Sequence, residues 1–420
     1  MTDMSQLSSR IADYHLGFFA EVPTLFHCHH FNLFLDQTID DALGAEQGPR
    51  VRMEAAQESA YVLLSAVTTA VGASTAVERV MVAQSVFAAM GHGTLELDVS
   101  ADGGRATGSF LHYGYSWREK YGKDIKRRRP ADGFAAGFVA AAAEVAHALP
   151  LWTLGAHEHV CVSMRAEQCR FEVGPRTAPK PVPMPRVDAA ATRTVLPPVI
   201  EGKFEPDIET IAQDLVRILE GVASDDRGLV QAFGVFITQH LAGYYNRISY
   251  ATVDLLRESN APLVPILESL FRESGQVCVF HTFGGILLSP EWEGLVGAPD
   301  GSVDAHVVGC TAIARALGFG RWTVQELEPE RRLVLRTPVT YETPYCLIRH
   351  GKQASGTSHF LQGAGLAIME LAHRIDWRGS PQLDDALYRR LFSAGAQWKV
   401  EQTADAAMGD EYCEVVVTRR

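Results

Sequence analysis

His157-Glu158-His159-Val160-Cys161 is followed, after seven intervening residues, by Cys169. Within these 13 residues the chain places two thiols, two imidazoles and the carboxylates of Glu158 and Glu167. Two thiolates with a carboxylate or an imidazole form a donor set that zinc or iron accepts. The alternation of Val160, Val162 and Met164 predicts a strand, Cys169 to Val173 predicts a second, and Arg165 to Gln168 the turn between them. A hairpin of that size brings Cys161 and Cys169 face to face. The competing reading is packing, because a free Cys is often a small buried hydrophobe.

A second cluster is Phe26-His27-Cys28-His29-His30-Phe31. On a strand, His27 and His29 face one way and Cys28 and His30 the other, so either pair can offer two ligands. His27, His29 and His30 are the candidate catalytic groups. If the clusters converge, Cys28 or His30 joins Glu158, Cys161 and Cys169 around one metal, and an open coordination position would make that metal catalytic. His92, His112 and His281 are weaker candidates for lining a pocket. No Walker motif, nucleophile elbow, dinucleotide fingerprint or His-Glu-x-x-His is present.

These residues need a scaffold, and 420 residues suit two domains. A hydrophobic fraction of 47% and a charged fraction of 21% fit a folded globular chain and exclude a disordered one. A net charge of −12 argues against a general nucleic-acid binder. The basic run from Lys123 to Arg129 precedes Pro130 and reads as a solvated loop. Seven scattered Cys fit reduced thiols and a cytoplasmic protein. No signal peptide and no membrane-spanning run is expected.

The proline-rich stretch from Gly174 to Pro206 divides the chain into a first half (1–173), a linker (174–206) and a second half (207–420). The halves match in order. His30-Phe31-Asn32 with Thr38-Ile39-Asp40 corresponds to Tyr244-Tyr245-Asn246 with Thr252-Val253-Asp254. Tyr61 to Ser65 corresponds to Gly285 to Ser289, and Met90 to Gly93 to Leu317 to Gly320. Gly133 to His147 corresponds to His359 to His373, and the strand from Cys169 to the strand from Cys413. This is the mark of a tandem duplication. Each half predicts a helix (76–90, 304–317) and two strands (94–99 and 105–112, 321–327 and 332–338). A small-residue helix (133–149, 359–375) and a closing hairpin follow, and 207–223 adds an amphipathic helix. The fold class is α+β, with two duplicated halves, each an antiparallel sheet with helices packed on it.

In that order of elements, each half resembles the 4-vinyl-reductase family of small-molecule-binding domains, which also serve as sensor modules of phenol-responsive transcription activators. The resemblance covers residues 50–173 and 280–418. In that family a zinc is held by a Cys after the strand pair, then a Glu, a Cys three residues on and a further Cys. Glu158, Cys161 and Cys169 match the last three, while Ser116 stands where the second half has Cys346. In the second half Cys346 and Cys413 match, Asp405 replaces a Cys, and Gln402 or Glu401 replaces the Glu. The resemblance implies an apolar pocket for an aromatic or other hydrophobic ligand. The chain lacks the ATPase motif and basic recognition helix of the activators.

The expected function is a metal-dependent enzyme, redox in kind, acting on an apolar or aromatic small molecule with zinc or iron as cofactor. The alternatives are a non-catalytic sensor or carrier with a structural zinc, and a scaffold or interaction protein. The expected partners are a hydrophobic small molecule and a second copy in a homodimer, with no nucleic acid and no membrane span.

Overall fold

The computed structural model describes residues 4–122, 125–298, 301–392 and 395–420. The first half opens with β1 (Ser8–Ile11), β2 (Leu16–Phe19) and β3 (Val22–Cys28), whose apolar side chains are mostly buried. α1 (His29–Ala70) follows directly and is broken at Gly44, five residues before Pro49. α2 (Ala76–Ala89) starts at a capping box in which Thr75 and Glu78 exchange hydrogen bonds. Then come β4 (Glu96–Ser100), β5 (Gly103–Gly108), α3 (His112–Tyr121), α4 (Gly133–Ala146), β6 (Leu154–Val160) and β7 (Cys169–Pro175).

Between Gly174 and Phe204 the only helix is the short α5 (Ala189–Arg193). α6 (Glu205–Gly221) is the expected amphipathic helix, with Ile208, Ala212, Leu215 and Leu219 buried. β8 (Val230–Ala232) and β9 (Val235–Leu241) lead into α7 (Ala242–Asn260) and α8 (Val264–Cys278). α9 (Gly284–Leu287), α10 (Pro290–Val296) and α11 (Val303–Leu317) precede β10 (Thr323–Glu328) and β11 (Arg332–Thr337). The chain closes with α12 (Thr343–Arg349), α13 (His359–Arg374), α14 (Asp385–Phe392), β12 (Trp398–Ala404) and β13 (Cys413–Arg419).

The architecture is α+β, and the duplication is visible in its topology. One four-stranded antiparallel sheet has the order β4-β5-β7-β6 and the other β10-β11-β13-β12. A third sheet, β1-β2-β3-β9-β8, joins the halves where Thr24 to Cys28 pair with Leu241 to Ile237. One apolar core runs through both halves.

The small-residue helices explain how close this packing is. All of α4 is buried, and it lies on α1 so tightly that a Cβ on Gly137 would come within 2.6 Å of the Ala56 Cβ. In the second half, α13 lies on α8, where a Cβ on Gly363 would run into the Arg272 carbonyl. Larger side chains on either face would force the helices apart.

Several local expectations shift. Val162–Met164 is a 3-10 turn rather than strand, so Cys161 stands just past β6. His112 begins α3 rather than ending a strand. The His27-to-His30 stretch is not one strand, because β3 ends at Cys28 and α1 begins at His29. Lys123 lies outside the described residues. Arg127, expected in solvent, is drawn in to Asp40 at 2.9 Å and to Gln37 at 3.0 Å.

Candidate functional site

Cys161 follows β6 and Cys169 begins β7, so the hairpin sets the two thiols 3.2 Å apart. Glu158, also on β6, turns inward with them: its carboxylate and the two sulfurs all lie within 4.8 Å of one another. Both Cys are fully buried and Glu158 nearly so. Among the described residues this is the one such group of three. A β-bulge between Glu158 and Val160 is what lets Glu158 and Cys161 face the same side.

A fourth group was not evident in the sequence. Asp132 caps α4 by accepting from Ala135 N at 2.8 Å, and its own amide donates to Glu158 Oε2 at 2.7 Å. The other oxygens, Asp132 Oδ2 and Glu158 Oε1, are buried with no hydrogen-bond partner. Among the described residues no cationic side chain forms an ion pair with either carboxyl. Burial, reinforced by the neighbouring acids, raises both carboxyl pKa values, that of Glu158 most. Burial opposes a thiolate at Cys161 most strongly, yet hydrogen bonds from the Cys169 thiol, Ser163 and the Ala131 backbone together outweigh it and bring Cys161 down, while the same thiol–thiol bond and burial push Cys169 up. Two carboxyls and two thiols therefore share a dry space; the nearest guanidinium, that of Arg52, bonds the Ala131 carbonyl and pairs with Asp36 and Asp40 instead.

The equivalent place in the second half is built differently. Gly108 pairs with Cys169 and Thr337 with Cys413; six residues on, Gly114 and Thr343 are therefore equivalent. A Cβ on Gly114 would sit 2.8 Å from Cys161 Sγ and 3.1 Å from Cys169 Sγ, so α3 leaves its space to the sulfurs. In the second half Thr343 Oγ1 fills that space, 3.7 Å from Cys413 Sγ. Asp405 replaces Cys161, Gln402 replaces Glu158 and Ser358 replaces Asp132. Asp405 accepts from Thr357 N at 2.6 Å, Ser358 N at 3.1 Å, Gln402 Nε2 at 2.7 Å and Ala407 N at 2.9 Å, and the Cys413 thiol points to it at 3.5 Å. One acid with many donors satisfies itself; each acid of the first-half cluster has a single backbone donor and a second oxygen without one.

The structure does not bring the remaining expected ligands together. Cys346 points to the Gly351 carbonyl at 3.7 Å, and with Asp405 and Cys413 it forms no group of three. Counted from the same register, Trp117 rather than Ser116 stands level with Cys346, and the residue of α3 that faces the thiols is Gly114. Cys28 and His30 do not join Glu158, Cys161 and Cys169. Cys28 is buried beside Thr282 and Cys278, and burial pushes its thiol up. His30 accepts from Lys120 Nζ at 2.9 Å and stacks on His281 at 3.7 Å. His27 stacks on Phe31 at 3.6 Å with Cys278 Sγ 3.4 Å from its Nδ1, and His29 accepts from Phe236 N at 3.3 Å. Burial lowers the pKa of all three imidazoles, to about 4 for His29.

No helix among the described residues is long and apolar enough to cross a membrane. No family model matches the sequence, and no curated protein matches it. Among solved structures, the chain is similar in trace to the phenol-responsive sensory domain of the transcription activator PoxR, crystallised with phenol, with a TM-score of 0.35 and 10% identity over 50% of this chain and 90% of that one.

Proposed function

We propose that the chain is a non-catalytic small-molecule-binding protein whose first half is fastened by a transition metal, zinc in the first instance, held by Glu158, Cys161 and Cys169 with Asp132 beside them. The observation that carries this reading is the pair of buried carboxylate oxygens without partners facing two adjacent thiols. A divalent cation would give the unpaired carboxyls a counter-charge, and sulfur with carboxylate oxygen is a donor set zinc accepts. Bound there, zinc contributes folding energy by cross-linking α4 to the β6–β7 hairpin.

The closed environment favours a structural role over an enzymatic one. A catalytic metal keeps an open position beside a cavity, whereas Cys161 and Cys169 are fully buried and line none of the five main cavities. The metal-dependent oxidoreductase is therefore the second reading, and iron its expected metal.

Elemental analysis of untagged protein, purified without air, tests both, with Cys161→Ser/Cys169→Ser beside it. One equivalent of zinc, lost together with stability in the variant, supports the structural site. One equivalent of iron with an absorption band lost in the variant supports the oxidoreductase. Absence of metal from both proteins would remove the site and leave the Cys as core residues.

A further inference from the structure

Unanswered buried polarity also gathers in the second half, far in sequence from the thiols. A cavity there, bounded by α7, α8 and the segment from Tyr341 to Phe360, opens to solvent at its mouth. Its walls are aromatic: Phe31 from α1, Phe271 from α8, Tyr341, and Phe360 from α13. Five polar atoms of its lining, Tyr250 Oη, Glu342 Oε2, His350 Nε2, Thr357 Oγ1 and His359 Nδ1, are shielded from solvent and have no hydrogen-bond partner. Buried polar groups are rarely left so unless something else completes them.

The charge around the cavity indicates what completes them. Its lining holds Asp254, Glu268 and Glu342 against Arg257, and Arg257 is already bonded to Asp254 at 3.0 Å. Glu268 and Glu342 have no ion-pair partner among the described residues. The imidazoles add no opposing charge at neutral pH, since burial brings His359 down to about 4 and also lowers His350. They stand instead as hydrogen-bond acceptors. Aromatic faces add attraction for a cation. Burial, with Asp405 nearby, raises the Glu342 carboxyl to about 8, so a cation within reach would draw it into its ionised form.

We propose that this cavity binds an organic amine as its ammonium ion, with the Glu342 carboxylate as counter-ion, the imidazoles of His350 and His359 as acceptors, and the apolar body of the ligand between Phe31, Phe271, Tyr341 and Phe360. The proposal rests on the binding-protein reading above and is independent of the metal. A neutral hydrogen-bonding ligand and a carboxylate are the two competitors, and each has a matched probe.

The test is calorimetric titration of the full chain with 2-phenylethylamine, 2-phenylethanol and phenylacetate at pH 7.5, with metal content measured on the same sample. The expected order is amine tighter than alcohol by about tenfold, as befits a charge-assisted contact, with phenylacetate weakest. Glu342→Gln should bring the amine to the level of the alcohol and leave the alcohol unchanged, with an unaltered circular dichroism spectrum. Equal affinity for amine and alcohol, tighter phenylacetate, or no binding of the three at millimolar concentration overturns the proposal. The wild-type series decides the matter even if the variant fails to fold. A failed series on a sample that still carries its metal counts against the cavity alone.

Discussion

Cys161 Sγ lies 3.2 Å from Cys169 Sγ, and at the same place in the other half Asp405 Oδ1 lies 3.5 Å from Cys413 Sγ. One half thus holds two thiols where the other holds a thiol and an acid. The surrounding residues follow suit: Asp132, Glu158 and Gly114 on one side, Ser358, Gln402 and Thr343 on the other. If the first solution needs a cation and the second does not, chelation should act on one half only. Removing the metal is expected to lower the thermal midpoint by about 5–10 °C. Hydrogen exchange should show the loosening confined to β6, β7 and the start of α4, with β12 and β13 unchanged. Uniform loosening of both sheets would contradict the assignment.

The comparison also suggests its own rescue. Asp132→Ser/Glu158→Gln/Cys161→Asp with Gly114→Thr writes the second-half solution into the first. The expected product keeps its fold, contains no metal and has a midpoint indifferent to chelator. Cys161→Ser alone should lose metal and stability together, because each acid keeps one oxygen without a donor. Differential scanning calorimetry with and without chelator separates the two.

Helix contact in both halves rests on missing side chains. Gly137→Ala should destabilise the protein by about 1–3 kcal/mol through overpacking against Ala56, and Gly363→Ala by at least as much against the Arg272 carbonyl. Ala142→Gly, in the same buried helix as Gly137 but adding no atoms, should instead cost ~1 kcal/mol or somewhat more, through chain entropy and a small void. Urea unfolding measures all three.

The raised Glu342 pKa gives stability a defined pH dependence. The carboxyl titrates near its ordinary value when unfolded and at about 8 in the folded protein. Between those values the folded state holds the extra proton, so stability from this group is complete below the ordinary carboxylate range and is lost as pH rises through about 8. Glu342→Gln should flatten the difference in urea midpoint between pH 6 and pH 8. An unchanged slope would mean that Glu342 is ionised throughout.

Glu58 of α1 ties the halves together, accepting from Arg247 of α7 and, at 3.0 Å, from Arg349 of α12. Those two cations draw its carboxyl pKa down against the effect of burial. Glu58→Gln leaves two largely buried guanidinium groups facing each other and should cost about 3 kcal/mol. Urea unfolding of this variant beside Arg349→Ala would show whether the stranded charge, rather than the lost bond, carries the cost.

The thiol pair and Glu158 were legible because a short hairpin brings neighbours in sequence into contact, and local spacing reports that. Asp132 was not, since it reaches Glu158 across 26 residues; its one signal was an Asp in front of a glycine-alanine run, the place of a helix cap. The alternating strand geometry expected of the histidine cluster fails because the backbone changes from strand to helix within it, between Cys28 and His29. Ser116 was matched to Cys346 by sequence order, whereas counting from the pairing of Gly108 with Cys169 and Thr337 with Cys413 sets Trp117 level with Cys346 and Gly114 level with Thr343. The repeat and the α+β class were legible because each half repeats the same alternation of helix and strand. The sheet shared by β3 and β9 had no sequence signal, as pairing between distant segments leaves none.

That shared sheet has an evolutionary consequence. β3 runs directly into α1 and β9 directly into α7, and the two strands lie antiparallel with β2 and β8 flanking them, so the junction is nearly two-fold symmetric. A gene encoding one half alone would yield a subunit whose β3 edge is bare, and the natural cover for it is the same edge of a second copy. In the tandem chain the two halves cover each other's edge strand, and each is free to carry its own side chains: paired thiols in one, a thiol with an acid in the other.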